Sequence, residues 1–600
     1  MQEIDDQQTT TDVPPGTLEQ VTAPSTPFVV GGRLQWSIRG CVSIGILLAF
    51  IALPVRGLYR ATGSSMEEGF MLVFPRLVQQ GRIPNVDFLH LYGPGSLDAL
   101  SLWYRLFGYT LESQRTFGLL QHLGIIFAMY ALTRVWGRLL ALGAGAITAL
   151  MIMTPIGLSA LAWHGGVALA LWAIVFAIRA RHTSATSDWA LAGVLAGVAL
   201  TFRPDIVIAV SLALGVVAWT AWRRALRPLL IGAAVGLLPM WVHLVVAGPG
   251  PAIDGIVLDP VFRLRAGREL PRPPSWGIVD GALQAVAEGA PPWWGLPAPA
   301  ASQQLFLWFF AVVITAIAVP AMAWRRRRHG DHSDQSLVLL VAGIFGLGIL
   351  PQALQRPDST HLAWVAVVSW PLLAATIADW VRIRRNRRQL GPSPLPAIIG
   401  VGVVAALMFV VAPFYTYRHY LLHTRVSAGE LPLPFLVERD DRRFWFGDPN
   451  VASALNQLIP DLEELTEPGD RLIVGPADLS RTIYSDVAVY FLFPELEPAT
   501  YYVEMDPGLA DTEGSGLAED IATADYLVLT NIWTGWNEPN DSSLHLSQEH
   551  NQAVADNFCL IGRYEDNLVL LFERCEGGGG VSPADVPGRY PLPADPEFDR

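Results

Sequence analysis

The sequence predicts an α-helical polytopic membrane protein of about eleven transmembrane helices, followed by a C-terminal extracytoplasmic α/β domain. Three observations carry this expectation. Apolar runs of roughly 17–20 residues, enough to span a bilayer core as helices, recur between residues 37 and 414. Charged residues make up only 16% of the chain and hydrophobic ones 52%, whereas soluble domains average roughly 25% charged. The charge is also divided: residues 1–415 hold 30 Arg and 21 acids, residues 416–600 hold 11 Arg and 33 acids, and no Lys occurs. A mildly basic membrane part is thus joined to a strongly acidic end. That end would repel a phosphate backbone, which argues against nucleic-acid binding.

Residues 1–36 are polar and read as a disordered cytoplasmic tail; no small-residue cleavage site follows the first apolar run, so a secretory signal is not expected. The expected spans are about 37–56, 117–136, 138–154, 161–178, 187–202, 205–222, 228–246, 304–324, 336–353, 362–380 and 394–414. The short run 187–202 ends at Arg203-Pro204-Asp205 and reads equally as a re-entrant turn.

Arginine sets the expected orientation. Alternate connections hold Arg33 and Arg39, Arg134 and Arg138, Arg179 and Arg181, Arg223, Arg224 and Arg227, Arg325 to Arg328, and the cluster from Arg382 to Arg388. With eleven spans, all six fall on the cytoplasmic side of a multi-pass cell-membrane protein, and the C-terminus falls outside. The opposite connections carry the chemistry-bearing residues. Loop 57–116 holds Glu67, Glu68, Asp87, His90, Asp98 and Glu112, and loop 247–303 holds Arg263, Arg265 and Arg268. Between them come Arg203 with Asp205, and later Arg356 with Asp358 and His361. The cytoplasmic HGDHSD (329–334) reads as solvated linker, and the Trp pair of PPWWG (291–295) as an interface anchor.

Residues 416–576 read as the α/β domain. RLIVG (471–475), VAVYFLF (487–493), TYYVE (500–504), DYLVLT (525–530) and the segment 557–574 read as strands; 449–466 and 545–556 read as helices. The last strand pair turns at Glu565-Asp566-Asn567. No GxGxxG follows a strand, so a dinucleotide site has no support. Cys559 and Cys575 are offset across this hairpin, and both a disulfide and two separate thiols remain open. The Gly- and Pro-rich tail 577–600 is expected to be disordered.

The stretch SSMEEGFMLVFPRLVQQGRIPNVDFLHLYGPGSLDAL (64–100) is the most informative part of the chain. Two adjacent acids follow the first span. Then come Gly81, Ile83-Pro84, Asp87-Phe88 and Tyr92-Gly93-Pro94. This segment resembles the GT-C superfamily of membrane glycosyltransferases, of the protein-mannosyltransferase and aminoarabinose-transferase kind. Those proteins take a sugar from a polyprenyl-phosphate carrier. Their usual wording is an Asp-Glu pair after the first span, an amphipathic helix, G-x-I-P-Y-x-D-F and a Tyr/Pro-rich turn. Here Glu67-Glu68 stands at the acidic pair and Asn85 where Tyr is common.

The resemblance implies transfer of a sugar from a polyprenyl-phosphate donor to a glycan, lipid or protein acceptor of the cell envelope, with inversion at the anomeric carbon. Chemistry of that kind needs a carboxylate as general base, cations to hold the leaving phosphate and a groove at membrane level. Glu67, Glu68 and Asp87 are the candidate catalytic acids. His90, Tyr92, Arg203, Asp205, Arg263, Arg265, Arg268, Arg356, Asp358 and His361 are the candidate substrate-binding residues. Arg suits phosphate because its fork hydrogen-bonds bidentately. Bland readings stand beside these: paired Glu are commonly solvated, Asp87 caps a turn equally well, and Arg203 has Asp205 as a ready partner. No cofactor is identified. Some members of the superfamily need a divalent cation and others do not, and these residues leave that open. Two other classes stay in view. One is a transporter or flippase, which places ionisable residues near the midplane. The other is a non-catalytic envelope assembly protein with a degenerate transferase body.

Overall fold

A computed structural model describes residues 38–153, 156–264, 269–280, 299–534 and 546–588. Helices Ile38–Leu58, Leu111–Trp136, Ala162–Thr183, Pro204–Gly236, Ala301–Arg328, Asp334–Gln355 and Ser359–Arg387 are each long and apolar enough to cross a membrane. Leu395–Val411 and Phe414–Ala428, bent by 101° at their junction, supply up to one more. The chain is therefore a multi-pass membrane protein, but this count is below the eleven expected from hydropathy. The difference lies in specific places. The runs 138–154 and 187–202 form helices of only 15 and 17 residues, Arg138–Ile152 and Thr186–Phe202. The pair 205–222 and 228–246 falls on the apolar stretch Pro204–Gly236, followed by Leu238–Val246.

That stretch doubles back on itself. A Cβ at Gly193 would lie 2.1 Å from the Leu229 carbonyl oxygen, and one at Gly236 would lie 2.2 Å from that of Val194. Only Gly allows backbones so close. Positions 193 and 197 face 229 and 233 while 190 and 194 face 232 and 236, so Thr186–Phe202 and Trp222–Gly236 run parallel. The chain between them must return, and it turns at Trp219–Ala221.

The helix ends separate by chemistry. At one end Arg326 pairs with Asp331 and Asp379, Arg382 with Asp379, Arg179 with Asp188 and His182 with Asp334. Asp331 and Asp334 of HGDHSD are thus ion-pair partners of helix termini rather than free linker. At the other end stand the first loop, the turn at Arg203–Asp205, the segment Pro351–Asp358 and the C-terminal domain. The helical body runs past residue 415: His419–Ala428 packs along Ile38–Leu58, with Gly57 against the His423 carbonyl.

In the C-terminal domain, β1 (Phe435–Arg439) and β2 (Arg442–Phe446) form an antiparallel hairpin that the sequence reading did not foresee. A five-stranded sheet follows in the order β4-β3-β5-β7-β6, with β3 Arg471–Pro476, β4 Glu497–Pro498, β5 Tyr526–Thr530, β6 Phe558–Tyr564 and β7 Val569–Arg574. β3 is parallel to β4 and β5, and β7 is antiparallel to β5 and β6. Helices Pro449–Leu465 and Glu549–Asn557 stand where helices were expected. The β6–β7 turn places Glu565, Asp566 and Asn567 at φ of 44°, 51° and 65°. Cys559 and Cys575 form a disulfide, with Cα atoms 5.8 Å apart.

Two expected strands are absent from 487–504. Residues 488–492 form a helix, Ala488–Leu492, buried on every side; a short apolar run without alternation fits either state. In TYYVE, the Tyr501 carbonyl instead accepts from Leu89 N–H of the first loop at 2.8 Å. The tail from Gly577 is ordered as far as residue 588, with Asn531 Nδ2 donating to Val586 O at 2.9 Å. Residues 1–37, the Trp pair and 589–600 lie outside the described residues.

Candidate active site

The two adjacent glutamates open helix Glu67–Gln79 and face different surroundings. Glu68 is fully buried. Arg115 donates to both its oxygens, Nε to Oε1 at 2.8 Å and Nη2 to Oε2 at 2.6 Å. Arg115 Nη1 also reaches the carbonyls of Tyr59 at 3.0 Å and Ala61 at 3.1 Å. This bidentate pair fastens the helix to the end of the first span. Both oxygens of the Glu68 carboxylate, one of the expected catalytic acids, are thus engaged by a single buried guanidinium. Arg115 was missed in the sequence. Its only signal is an arginine in the first turns of an apolar helix on the side opposite the Arg clusters.

Glu67 is only partly buried and lines a cavity of about 530 Å³ between the helical bundle and the C-terminal domain. Its Oε2 accepts from the hydroxyls of Ser64 and Tyr484, the latter at 2.7 Å. No hydrogen bond reaches Oε1 among the described residues. Burial, and then the charge of Glu67, push the Tyr484 phenol well above its ordinary value, so it stays protonated and donates.

The same cavity is lined by Tyr92, Arg203, Asp205, Arg356, Asp358 and His361, which the sequence placed on separate connections. Arg203 is buried. It forks onto Asp205, with Nε to Oδ1 at 2.8 Å and Nη2 to Oδ2 at 2.6 Å, and Gln352 Nε2 braces the same carboxylate at 2.6 Å. Its guanidinium carbon lies 4.9 Å from the Tyr92 ring centre and 5.0 Å from that of Trp163. Burial works against the guanidinium charge, but Asp205 outweighs it and the net shift is upward. Nη1 of Arg203 carries no hydrogen bond among the described residues.

Asp358 caps the helix Ser359–Arg387 by accepting from His361 N–H at 2.9 Å. Its other oxygen meets His361 Nδ1 at 2.8 Å and lies 3.9 Å from Arg356 Nε. Burial pushes the Asp358 carboxyl up, while His361 and Arg356 pull it down and prevail. Ile256, Val257, Pro260, Val261 and Leu264 give the cavity an apolar flank.

Three other expected residues are elsewhere. Asp87 is exposed, does not line the cavity, and caps the turn: its Oδ2 accepts from Ile83 N–H at 2.6 Å. His90 is 1% exposed and packs edge-on between Phe74 and Tyr92 without lining the cavity; burial drops its imidazole to about 3. Arg263 points away to Asp259 at 2.7 Å and Asp254 at 3.4 Å. Its neighbours Val261 and Leu264, not the cation, reach the cavity. Arg265 and Arg268 lie outside the described residues. Asn85 has φ 65° and bridges His90 O at 2.6 Å and His243 Nε2 at 3.0 Å. Ile483, Tyr484, Glu504 and Pro507 of the C-terminal domain also line the cavity and had no signal in the sequence. Among the described residues no group of three or more His, Cys, Asp or Glu is arranged to hold a metal ion.

No family model matches the chain, and no curated protein sequence is similar enough to count as a match. Solved structures are similar. ArnT from Cupriavidus metallidurans bound to undecaprenyl phosphate superposes with a TM-score of 0.50 at 14% identity, covering 92% of this chain and 100% of that one. The archaeal oligosaccharyltransferase AglB from Archaeoglobus fulgidus, in complex with an inhibitory peptide and a dolichol-phosphate, gives 0.44 at 12% identity, covering 87% and 73%. At such identity the likeness is one of fold. The chain is a multi-pass membrane protein with a helical body and a C-terminal α/β domain, and it shares its fold with ArnT over nearly its whole length.

Proposed function

We propose that this protein is a membrane glycosyltransferase. It moves a sugar from a polyprenyl-phosphate donor to an acceptor hydroxyl of the cell envelope. One observation carries the reading: a carboxylate with an unengaged oxygen and two guanidinium groups line one cavity that is apolar on one flank. Glu67 takes the proton of the attacking hydroxyl. The acceptor oxygen bonds to the anomeric carbon as the carbon–oxygen bond to phosphate breaks, and a single displacement of this kind inverts the centre. Arg203 and Arg356 hold the phosphate as it gains charge, a task favoured where water is excluded. Asp205 and Gln352 fix Arg203 so that its remaining N–H groups are aimed in advance. The flank from Ile256 to Leu264 borders the polyprenyl chain. The reaction faces the non-cytoplasmic side, supported by the Arg-bearing helix ends opposite and by the disulfide, which persists in oxidising compartments.

The test is a profile of polyprenyl-linked sugars in cells. Glu67→Gln keeps size and removes the charge. Cells carrying it should accumulate the lipid-linked sugar and lose it from the envelope, with normal protein level. Unchanged transfer by that variant would remove Glu67, and with it this reading.

A further inference from the structure

Tyr484 lies 417 residues beyond Glu67, in a different domain, yet its hydroxyl touches the candidate base. We infer that the C-terminal domain is part of the catalytic machinery, and that Tyr484 is the positioning residue that holds the Glu67 carboxylate for proton abstraction. The inference rests on the reading of Glu67 as general base. Three lines of geometry support it.

The Tyr484 hydroxyl is fixed by the first loop on several sides. It donates to Glu67 Oε2 at 2.7 Å, accepts from Met66 N–H at 3.1 Å and lies 2.8 Å from Ser64 Oγ. Among the described residues, the hydrogen bonds to the carboxylate all end on Oε2, so one oxygen is tethered and the other is left for the acceptor. A glutamate has three rotatable bonds, and a base that wanders by an ångström loses rate steeply.

The ring is held from behind. Trp533 packs against it with centroids 4.3 Å apart, and the indole N–H donates to Asp486 at 3.2 Å. Asp486 also accepts from Thr530 Oγ1 at 2.7 Å, at the end of β5. The tether is therefore anchored in the central sheet.

The domain is docked at this point. Ala488 N–H donates to Ser65 O at 2.9 Å. A Cβ at Gly69 would lie 2.6 Å from Ala488 N, so helix Ala488–Leu492 sits directly on the helix that Glu67 opens. Ile483, Tyr484, Glu504 and Pro507 then close the side of the cavity away from the bundle.

The test uses the purified full-length protein. Membranes from cells lacking it, which carry the untransferred lipid-linked sugar, are supplied as donor and acceptor, and release of polyprenyl phosphate is timed. Undecaprenyl phosphate is titrated separately as a probe of the phosphate pocket. Tyr484→Phe keeps the ring and its packing and loses only the donor. We expect release to slow roughly tenfold, the scale of a hydrogen bond to a charged group, while the dissociation constant for undecaprenyl phosphate stays within twofold. In a Glu67→Gln background the Phe substitution should change nothing further. Release within twofold of wild type, with Glu67→Gln inactive, overturns the inference and leaves the base assignment intact. A matching loss of undecaprenyl phosphate binding also overturns it, by showing general disruption. Wild-type release by Glu67→Gln overturns the base assignment and the inference together. If the Phe variant does not accumulate, 3-fluorotyrosine at 484, a stronger donor in the same ring, must slow release; an unchanged rate overturns the proposal.

Discussion

Consecutive side chains on a helix point roughly 100° apart, and that rotation divides the labour of Glu67 and Glu68. Glu68 turns inward onto Arg115, and Glu67 turns to the cavity. Replacing Arg115 by Met would strand a buried carboxylate, which costs about 3–5 kcal/mol. Thermal unfolding in detergent should show that loss, and Glu68→Gln should reduce folded protein while transfer per folded molecule persists. The opposite pattern, normal stability with no transfer, belongs to Glu67→Gln. Arg203→Lys keeps the charge but loses the fork on Asp205; binding of undecaprenyl phosphate should weaken by about tenfold or more. His90 makes a pH prediction. Its folded value of about 3 lies below the unfolded value of 6.5. The unfolded chain therefore binds the proton first, and stability falls as pH drops from about 6.5 toward 3, by at most ~1.4 kcal/mol per pH unit. His90→Phe, which suits the aromatic pocket of Phe74 and Tyr92, should flatten that acid limb in a pH series of melting temperatures.

Among the elements, the contact between helices Glu67–Gln79 and Ala488–Leu492 joins the two parts of the molecule. Gly69→Val should break it. The new side chain meets Ala488 N and Val487 C, at 2.6 Å and 2.9 Å from its Cβ, and backbone atoms have nowhere to go. Transfer should be lost, and limited proteolysis should cut between Ala428 and Asp448 faster than in the wild type. The same contact explains why 487–493 was misread. An apolar stretch of seven residues has no period long enough to distinguish a buried helical turn from a core strand. The segments 471–475 and 525–530 and the 557–574 hairpin were readable because strand-forming residues there end at clear turns, and three polar residues in a row accept left-handed backbone.

For the whole molecule, the alternation of Arg-rich connections predicts that a cytoplasm-dependent reporter fused after Glu438 stays silent; strong activity there would invert the orientation and move the cavity to the wrong face. Cys559→Ser should cost about 3 kcal/mol by releasing a loop of 16 residues, read as a lower melting temperature that reductant reproduces in the wild type.

Composition and charge alone determined that this is a membrane protein with an acidic appendage, because the bilayer demands long apolar runs and offers no partner for isolated charge. The wording of residues 64–100 also indicated the fold class and the acids worth testing. What the sequence could not assign was their use. Glu67 and Glu68 are the same residue type side by side, and only the position of Arg115 after the loop decides which is locked. Arg203 comes from one connection and Arg356 with His361 from another, and only helix packing brings them to one cavity. Arg263 looked equal to them, yet local Asp254 and Asp259 hold it aside. Tyr484 was invisible for the strongest reason: its role exists only across an interface between domains, and an interface has no period in the sequence of either side.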